Sequence, residues 1–302
     1  MSKFDLDGVI SKVRSSLKKD ERRSNQLGVG SDLPPVSKDP ADYVVMPKWF
    51  QECYGIPGLA FGKIFECAGK SDSGKTSFAI TAMKAAQEQG YGVLYVETEK
   101  KTSPSDLAAW GVDPDGVMLV KTSITEEAFD GAQRLWDAFF DKYPNDKLLL
   151  VFDSYGNTVS SSDSEIDLTK QNQRVGGASK TNRLGINTFV ARLEHDPVAM
   201  LFINYTYANI GSVGQTSAGG EALGFFSMIR VQTQRKAWIE ATRGGVKMRK
   251  GAKVKWTTVK NHYAKGLFDA DGKAVLLPKT LELDITAEGM NAVGMGFGDD
   301  DD

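Results

Sequence analysis

A chain of 302 residues with 41% hydrophobic and 25% charged residues has enough apolar content for one sizeable core plus small appendages, which excludes disorder throughout. A net charge of −2 argues against nucleic-acid binding by bulk positive charge, and two cysteines, Cys53 and Cys67, make neither a disulfide framework nor a metal-ligand cluster and read as core fillers. The first residues lack the apolar stretch of a signal peptide and no apolar run approaches bilayer length, so the expectation is a soluble cytoplasmic protein with no membrane partner.

Residues 4 to 17 place Phe4, Leu6, Val9, Ile10, Val13 and Leu17 on one helical stripe, with Lys and Arg between them. A polar stretch with Gly and paired Pro follows, a linker that separates this amphipathic helix from the rest. The stripe needs an apolar partner, on its own domain or on a neighbouring copy.

The short β-like run "FGKIF" leads into "ECAGKSDSGKTSF", and "TSFAITAMKAAQEQG" then has helical spacing with Gly90 to stop it. Strand, glycine loop and helix in that order fit a phosphate-binding loop, in which backbone N–H groups at a helix N-terminus surround a polyphosphate. The candidate nucleotide-binding residues are Gly69, Ser71, Asp72, Ser73, Gly74, Lys75, Thr76 and Ser77. Lys75 would neutralise β/γ-phosphate charge, and the Thr76 hydroxyl would ligate Mg²⁺. ATP and Mg²⁺ are the expected cofactors. A glycine-rich turn capping an ordinary helix is the plain alternative.

Beyond the loop, apolar runs alternate with amphipathic helices: "GVLYVETE", "SPSDLAAWG", "GVMLV", "TEEAFDGAQRLWDAFFDKY", "KLLLVFDS", a polar segment, "TNRLGINTFVARLEH" and "VAMLFINY". This is an α/β domain with a mostly parallel central sheet covered on both faces. From Phe226, "MIRVQTQRKAWIE", "KVKWTTVKN" and "TLELDIT" read as antiparallel strands that extend the sheet. The final "GMNAVGMGFGDDDD" has too little apolar content to pack and is expected to be disordered. The expected organisation is a helical arm and linker over 1–42, a core over 43–286 and an acidic tail over 287–302.

Ligands in such sheets bind at the carboxyl ends of the strands. Asp153 ends "LLLVFD" where an acid would hold the Mg²⁺ hydration shell, with Ser154 in support. Glu97 and Glu99 end "VLYVETE" on one face while the chain stays extended; either could orient a water for in-line attack, and Glu99 lies farther out of the sheet. Two long polar segments, Tyr155 to Lys180 and Tyr205 to Gly224, leave the same edge. Lys170, Arg174 and Lys180 in the first could meet phosphates, and Tyr205 and Tyr207 in the second could stack or support a base. From Arg235 to Lys260, nine Lys and Arg stand against Glu240 alone, while the chain ends in four Asp. A basic stretch and an acidic tail suit a polyanion-binding surface and its own competitor; a solvated hairpin and a solubilising tail are the alternative.

Together, "AGKSDSGKTS", "VLYVETEKKTSP", "LLLVFDS", "LFINYTY" and "TSAGGEALGFFSMIRVQTQR" resemble the RecA family of strand-exchange recombinases, with "INYTY" nearest to its T4-type phage member. The resemblance runs from about Tyr43 to about Ile285. It implies a RecA-like ATPase core with an N-terminal helical arm that packs on the adjacent protomer. Glu99 would be the catalytic carboxylate with Lys75 and Thr76 on ATP·Mg²⁺, and Asp153 the Mg²⁺-associated acid. Asn204 would sit at the γ-phosphate-sensing strand end, and Lys260 and His262 where lysines reach a neighbour's nucleotide. The two polar segments, including Lys170, Arg174, Lys180, Tyr207, Gly219 and Gly220, would carry the DNA-binding loops.

The implied activity is DNA-dependent ATP hydrolysis coupled to strand exchange on a helical filament. Implied partners are single- and double-stranded DNA, further copies of the chain, a single-strand-binding protein and a loader. A ring-forming helicase on the same fold and a regulatory ATP-gated assembly protein are the alternatives. The chain departs from the family pattern at Tyr205, where bacterial members have Gln and T4-like members His. It also departs at His262, at Asp106, where an adenine-stacking aromatic has no match, and in having no separate C-terminal domain.

Overall fold

The computed structural model describes residues 5–16, 36–164, 177–208, 215–266, 273 and 276–296. It divides into two units, residues 1–37 and 38–302. The first contains helix α1 (Leu6–Ser16), opened by the Gly8 N–H donating to Asp5 Oδ1 at 2.9 Å. Leu6, Val9 and Val13 of the expected stripe are exposed on it; Phe4 and Leu17 lie outside the described residues.

The second unit is built on a nine-stranded sheet. Strands β1 (Tyr43–Val45) and β2 (Gly58–Ala60) pair separately, with α2 (Lys48–Tyr54) between them. Then come β3 (Lys63–Gly69), α3 (Lys75–Glu88), β4 (Gly92–Glu97), α4 (Pro104–Ala109), β5 (Val117–Lys121), α5 (Thr125–Lys142) and β6 (Leu148–Asp153). The chain continues through α6 (Ser161–Ser164), α7 (Gly177–Arg192), β7 (Val198–Asn204), the small pair β8 (Thr206–Ala208) and β9 (Gln215–Ser217), and α8 (Ala222–Phe226). It closes with β10 (Ser227–Arg243), β11 (Val246–Asn261), β12 (Thr280–Thr286) and β13 (Gly289–Gly296).

The spatial order is β13-β12-β11-β10-β3-β7-β6-β4-β5. Six strands from β5 to β10 run parallel and β11 to β13 are antiparallel, as expected for a mostly parallel sheet with an antiparallel extension. The central β6 and β7 are buried along their whole length, which is why they read as unbroken apolar runs. One core cluster packs Trp136 and Phe129 of α5 and Phe189 of α7 against Phe152 and Phe202. Another joins Trp49, Phe50 and Tyr54 of α2 to Phe65, Phe78 and Trp256, with Trp256 Nε1 donating to Tyr54 Oη at 2.6 Å. Cys53 and Cys67 are buried here, and burial pushes the Cys53 thiol up to about 11 and the Cys67 thiol higher still, so both are inert fillers.

One expectation fails. Residues 289–296 are not disordered: β13 pairs antiparallel with β12, and Met290 is buried. The existing edge of β12 supplies backbone partners, so this glycine-rich segment needs little apolar area of its own. The acidic residues Asp299 to Asp302 lie outside the described residues.

The β10–β11 pair is a long hairpin closed by Gly244 and Gly245, both at positive φ (59° and 81°), as a two-residue primed turn requires. Strand β3 flanks β10 only as far as Thr233, and β12 flanks β11 only from Gly251 onward. Among the described residues, the outer part, with Lys236, Arg243, Lys247, Arg249 and Lys250 exposed, therefore has ladder partners only within the hairpin. Among the described residues no helix is long and apolar enough to cross a membrane.

Candidate functional site

Four parallel strands deliver the site to one edge. Register places Ala68 of β3 beside Asn204 of β7, Asp153 of β6 beside Ile203, and Glu97 of β4 beside Asp153. The loop after β3 turns through Gly74, whose φ of 84° caps α3 in the left-handed region. A side chain at Gly74 would put its Cβ 2.2 Å from Ile285 Cδ1, and one at Gly69 would meet Thr233 Oγ1 at 2.3 Å. Close approach thus requires glycine at 69, and the left-handed turn requires it at 74. Ser73 is buried and braces the loop, donating to the Lys70 carbonyl and bonding Thr233 Oγ1, each at 2.7 Å. Ser71 and Asp72 are exposed, and Asp72 pairs with Arg235 at 3.1 Å. Ser77 lies one turn into the helix, where its carbonyl accepts from Thr81 Oγ1.

Lys75 is buried, and its ammonium donates to the Lys70 carbonyl at 2.7 Å and faces the Tyr205 ring, 4.7 Å from the centroid. Burial holds its pKa below the usual lysine value, and an anion in the loop would oppose that shift by favouring the charged form. Thr76 Oγ1 donates to Asp153 Oδ2 at 2.8 Å. Burial pushes the Asp153 carboxyl up to about 6, with Glu99 and Glu97 acting the same way and Thr76 and Lys75 opposing. A buried carboxylate that lacks a full counter-charge, bonded to a hydroxyl at the cleft surface, fits a hard divalent cation, and Thr76 and Asp153 would hold it. No cluster of three or more His, Cys, Asp or Glu with metal-ligand geometry occurs among the described residues.

The two glutamates have different settings. Glu97 ends β4, is 3% exposed and accepts from the Lys101 N–H at 2.9 Å; its Oε2 has no hydrogen-bond partner among the described residues. Glu99 lies beyond the strand, where Oε2 accepts from Lys101 Nζ at 2.6 Å and Oε1 accepts from Ser154 Oγ at 2.8 Å and from the Tyr205 hydroxyl. Burial alone would raise the Glu99 pKa, but these donors outweigh it and hold the carboxyl below its ordinary range. Thr76, Glu97, Glu99 and Asp153 line one cleft of about 240 Å³. Asp106 also borders it, but its carboxylate accepts from the Ser103 N–H and hydroxyl and so caps α4.

Several expected site residues stand elsewhere. Asn204 is fully buried and does not present its amide to the site. Its Nδ2 donates to Glu66 Oε1 (2.9 Å) and the Ala218 carbonyl (3.0 Å), and its Oδ1 accepts from the Tyr205 N–H (2.8 Å). Those bonds satisfy an amide that would be costly to bury unpaired, so the next residue, Tyr205, occupies the strand-end position toward Lys75 and Glu99. Lys260 donates to the carbonyls of Gly224 and Phe225 at 3.0 and 2.9 Å, at the end of α8. His262 is exposed, with its N–H donating to the Met228 carbonyl. Lys180 lies in the first turn of α7 rather than in a loop.

Lys170 and Arg174 lie outside the described residues. Tyr207 is exposed on β8. Gly219 and Gly220 (φ 76° and 87°) form a turn in which a Cβ at Gly219 would strike the Tyr155 ring at 2.5 Å. These glycines shape the wall of an open groove of about 730 Å³ whose other lining includes Lys180, Arg183 and the exposed Phe225.

Sequence reasoning missed Arg183, one helical turn from Lys180 on the same face, a spacing that was there to be read. It also missed Glu66 and Arg230, an ion pair at 2.5 Å in which the carboxylate is fully buried. An acidic residue inside the apolar run "KIFECAG" was the available signal for such a pair.

The sequence model of the RecA N-terminal domain matches residues 48–277, well over half of the chain. The chain belongs to the RecA family. Among curated RecA-family relatives, the protein RecA of Malacoplasma penetrans is 28% identical over 213 residues, 70% of this chain and 61% of that protein. RecA of Frankia casuarinae is 26% identical over 269 residues, covering 87% and 73% of the two chains. RecA of Fusobacterium nucleatum is 29% identical over 190 residues, 62% of this chain and 48% of the relative. This RecA-family chain thus spans from about half to about three quarters of the length of those relatives.

Proposed function

We propose that this RecA-family protein is an ATP-dependent homologous recombinase that polymerises on single-stranded DNA and exchanges it into a homologous duplex, with DNA-dependent ATP hydrolysis as its reaction. The observation that carries the reading is the meeting, at one sheet edge, of Lys75, the Thr76–Asp153 pair and Glu99 with Tyr205, the first residue of a segment that leaves the sheet toward the basic groove. In this reading Lys75 and the loop Gly69–Ser77 grip the phosphates, and Thr76 and Asp153 hold Mg²⁺. The ion, when bound, neutralises phosphate charge. Glu99 orients the attacking water: it stands at the rim of the cleft, whereas Glu97 is tucked under the Lys101 backbone.

Lys180, Arg183, Tyr207, the Gly219–Gly220 turn, and the segments holding Lys170 and Arg174 meet DNA in the same reading. The exposed stripe of α1 packs on a neighbouring copy, and Lys260 and His262 reach toward that neighbour's nucleotide. The exposed basic hairpin supports a role in duplex capture. The "INYTY" motif supports kinship with UvsX of T4-type phages; a single-strand-binding protein and a loader would be its partners.

The test is imaging of the protein with single-stranded DNA and a slowly hydrolysed ATP analogue. Continuous helical filaments are expected. Closed rings would indicate a helicase-like motor, and a lack of DNA-dependent assembly a regulatory ATPase; either outcome would overturn the recombinase reading.

A further inference from the structure

A second ammonium stands on the rim of the cleft that Thr76, Glu99 and Asp153 line. Lys101 borders the same space of about 240 Å³, and its Nζ donates to Glu99 Oε2 at 2.6 Å. The root of this side chain is fixed, because Lys100 turns the chain at a φ of 57° and the Lys101 N–H donates to Glu97 Oε1 at 2.9 Å, at the end of β4. Its tip is open to solvent: the Lys101 side chain is 70% exposed, against 12% for Glu99. The hydrogen bond and charge of Glu99 outweigh burial and raise the Lys101 pKa, with the charges of Asp153 and Asp72 adding to them. The ammonium thus lies within electrostatic reach of the sheet edge, through Asp153, and of the glycine loop, through Asp72.

We propose that Lys101 is a further catalytic residue, a lysine that the chain supplies to its own site and that leaves Glu99 for the γ-phosphate of a bound nucleoside triphosphate, neutralising charge on the phosphoryl group during transfer. The proposal rests on the ATPase reading above and deepens it. Two ammonium groups then act on the phosphates from different elements, Lys75 at the start of α3 and Lys101 on the turn after β4. Lys260, by contrast, has its ammonium on the carbonyls of Gly224 and Phe225 at the end of α8.

The exchange of partners is cheap and has two effects. An ion pair with so exposed an ammonium contributes little to stability, and a triphosphate carries more negative charge than one carboxylate, so the ammonium moves with little loss. Its departure frees Glu99 Oε2, the oxygen that Ser154 and the Tyr205 hydroxyl do not occupy. A carboxylate relieved of a charged donor is a better acceptor for a proton. In the reaction the water oxygen bonds to the γ-phosphorus while the bond from that phosphorus to the β–γ bridging oxygen breaks; ADP leaves with the electron pair, and one water proton passes to Glu99. A cation on the transferring group acts where charge is spread over its oxygens, which is where positioned positive charge accelerates this class of reaction.

Lys101→Met keeps the length of the side chain and removes its charge, and Lys101→Arg restores the charge. A hydrogen bond between charged groups is worth about ten- to a hundredfold in an equilibrium. On saturating single-stranded DNA, kcat should therefore fall about ten- to a hundredfold in Lys101→Met with KM little changed, and Lys101→Arg should recover most of it. A readout independent of turnover is the binding of a fluorescent ADP analogue with Mg²⁺, alone and with aluminium fluoride, which stands in for the phosphoryl group in transfer. Wild type and Lys101→Met should bind the ADP analogue alone equally well, whereas the gain in affinity that aluminium fluoride gives wild type should shrink in Lys101→Met by about the factor lost from kcat. An unchanged or higher kcat in Lys101→Met, the same gain from aluminium fluoride in both proteins, or a loss of ADP affinity as large as the loss of kcat overturns the role of Lys101 while leaving the ATPase reading intact. A wild-type protein that neither binds the ADP analogue nor hydrolyses ATP overturns the ATPase reading and the role of Lys101 together.

Discussion

Replacing Asp153 by Asn should make the nucleotide-free protein more stable at neutral pH while removing the carboxylate proposed to hold Mg²⁺. The carboxyl is 5% exposed and titrates at about 6 instead of 3.8, a rise of about 2 units caused first by burial. At about 1.36 kcal/mol per unit, keeping this group ionised in the folded state costs about 3 kcal/mol. The sign follows from proton uptake: the folded protein binds this proton more tightly than the unfolded chain does. Relative to the variant, wild type is at its best below about pH 4, loses ground as pH rises, and has lost the full amount above about pH 6. Asn keeps an oxygen to accept from Thr76 Oγ1, so packing and the hydrogen bond survive. Urea denaturation in a metal chelator at pH 7.5 and pH 4.5 measures the effect as a difference of differences. Asp153→Asn should gain about 3 kcal/mol over wild type at the higher pH and much less at the lower. An equal gap at both pH values, or a variant less stable at pH 7.5, would refute the idea that a buried, under-neutralised carboxylate is kept here for a cation.

Lys75→Ala should abolish nucleotide-dependent DNA binding, whereas Glu99→Gln should bind normally and stall turnover by several orders of magnitude; a fully active Glu99→Gln protein would transfer the catalytic role to Glu97. Arg230→Leu leaves the fully buried Glu66 carboxylate without its counter-ion and should cost about 3–5 kcal/mol in denaturant unfolding, a loss that Glu66→Gln in the same chain should partly restore. A loss under about 1 kcal/mol would mean that Asn204 alone satisfies Glu66. Neutralising exposed Arg249 and Lys250 on the hairpin should weaken duplex capture and lower the salt dependence of binding by about two phosphate contacts; unchanged capture would remove the hairpin from the DNA-binding surface.

The glycine loop between β3 and α3, the parallel strands and Asp153 were legible in the sequence because each depends on local pattern: glycine spacing between a strand and a helix, unbroken apolar runs, an acid at a strand end. The α1 stripe was legible for the same reason. Strand β13 was not, because its partner is the edge of β12, and a pattern search weighs apolar content rather than the availability of an unpaired backbone. Glu99 and Glu97 were indistinguishable by alternation because β4 stops at Glu97, where Lys101 folds its N–H back onto the carboxylate, and the chain that carries Glu99 is no longer extended. The burial of Asn204, expected at the site, was not legible for a similar reason: which of two neighbours turns inward depends on Glu66 and Ala218, 138 and 14 positions away.

By itself, then, the amino-acid order determined that the candidate site residues lie along one edge of a parallel sheet, since helix and strand periods and a loop of fixed glycine spacing are short-range properties. Tertiary structure alone decided how those groups are held: Thr76 on Asp153, Glu66 between Asn204 and Arg230, and Tyr205 between Lys75 and Glu99. Each of these contacts joins residues remote in the chain, and its energy comes from burying charge beside a partner that only the folded sheet brings within reach.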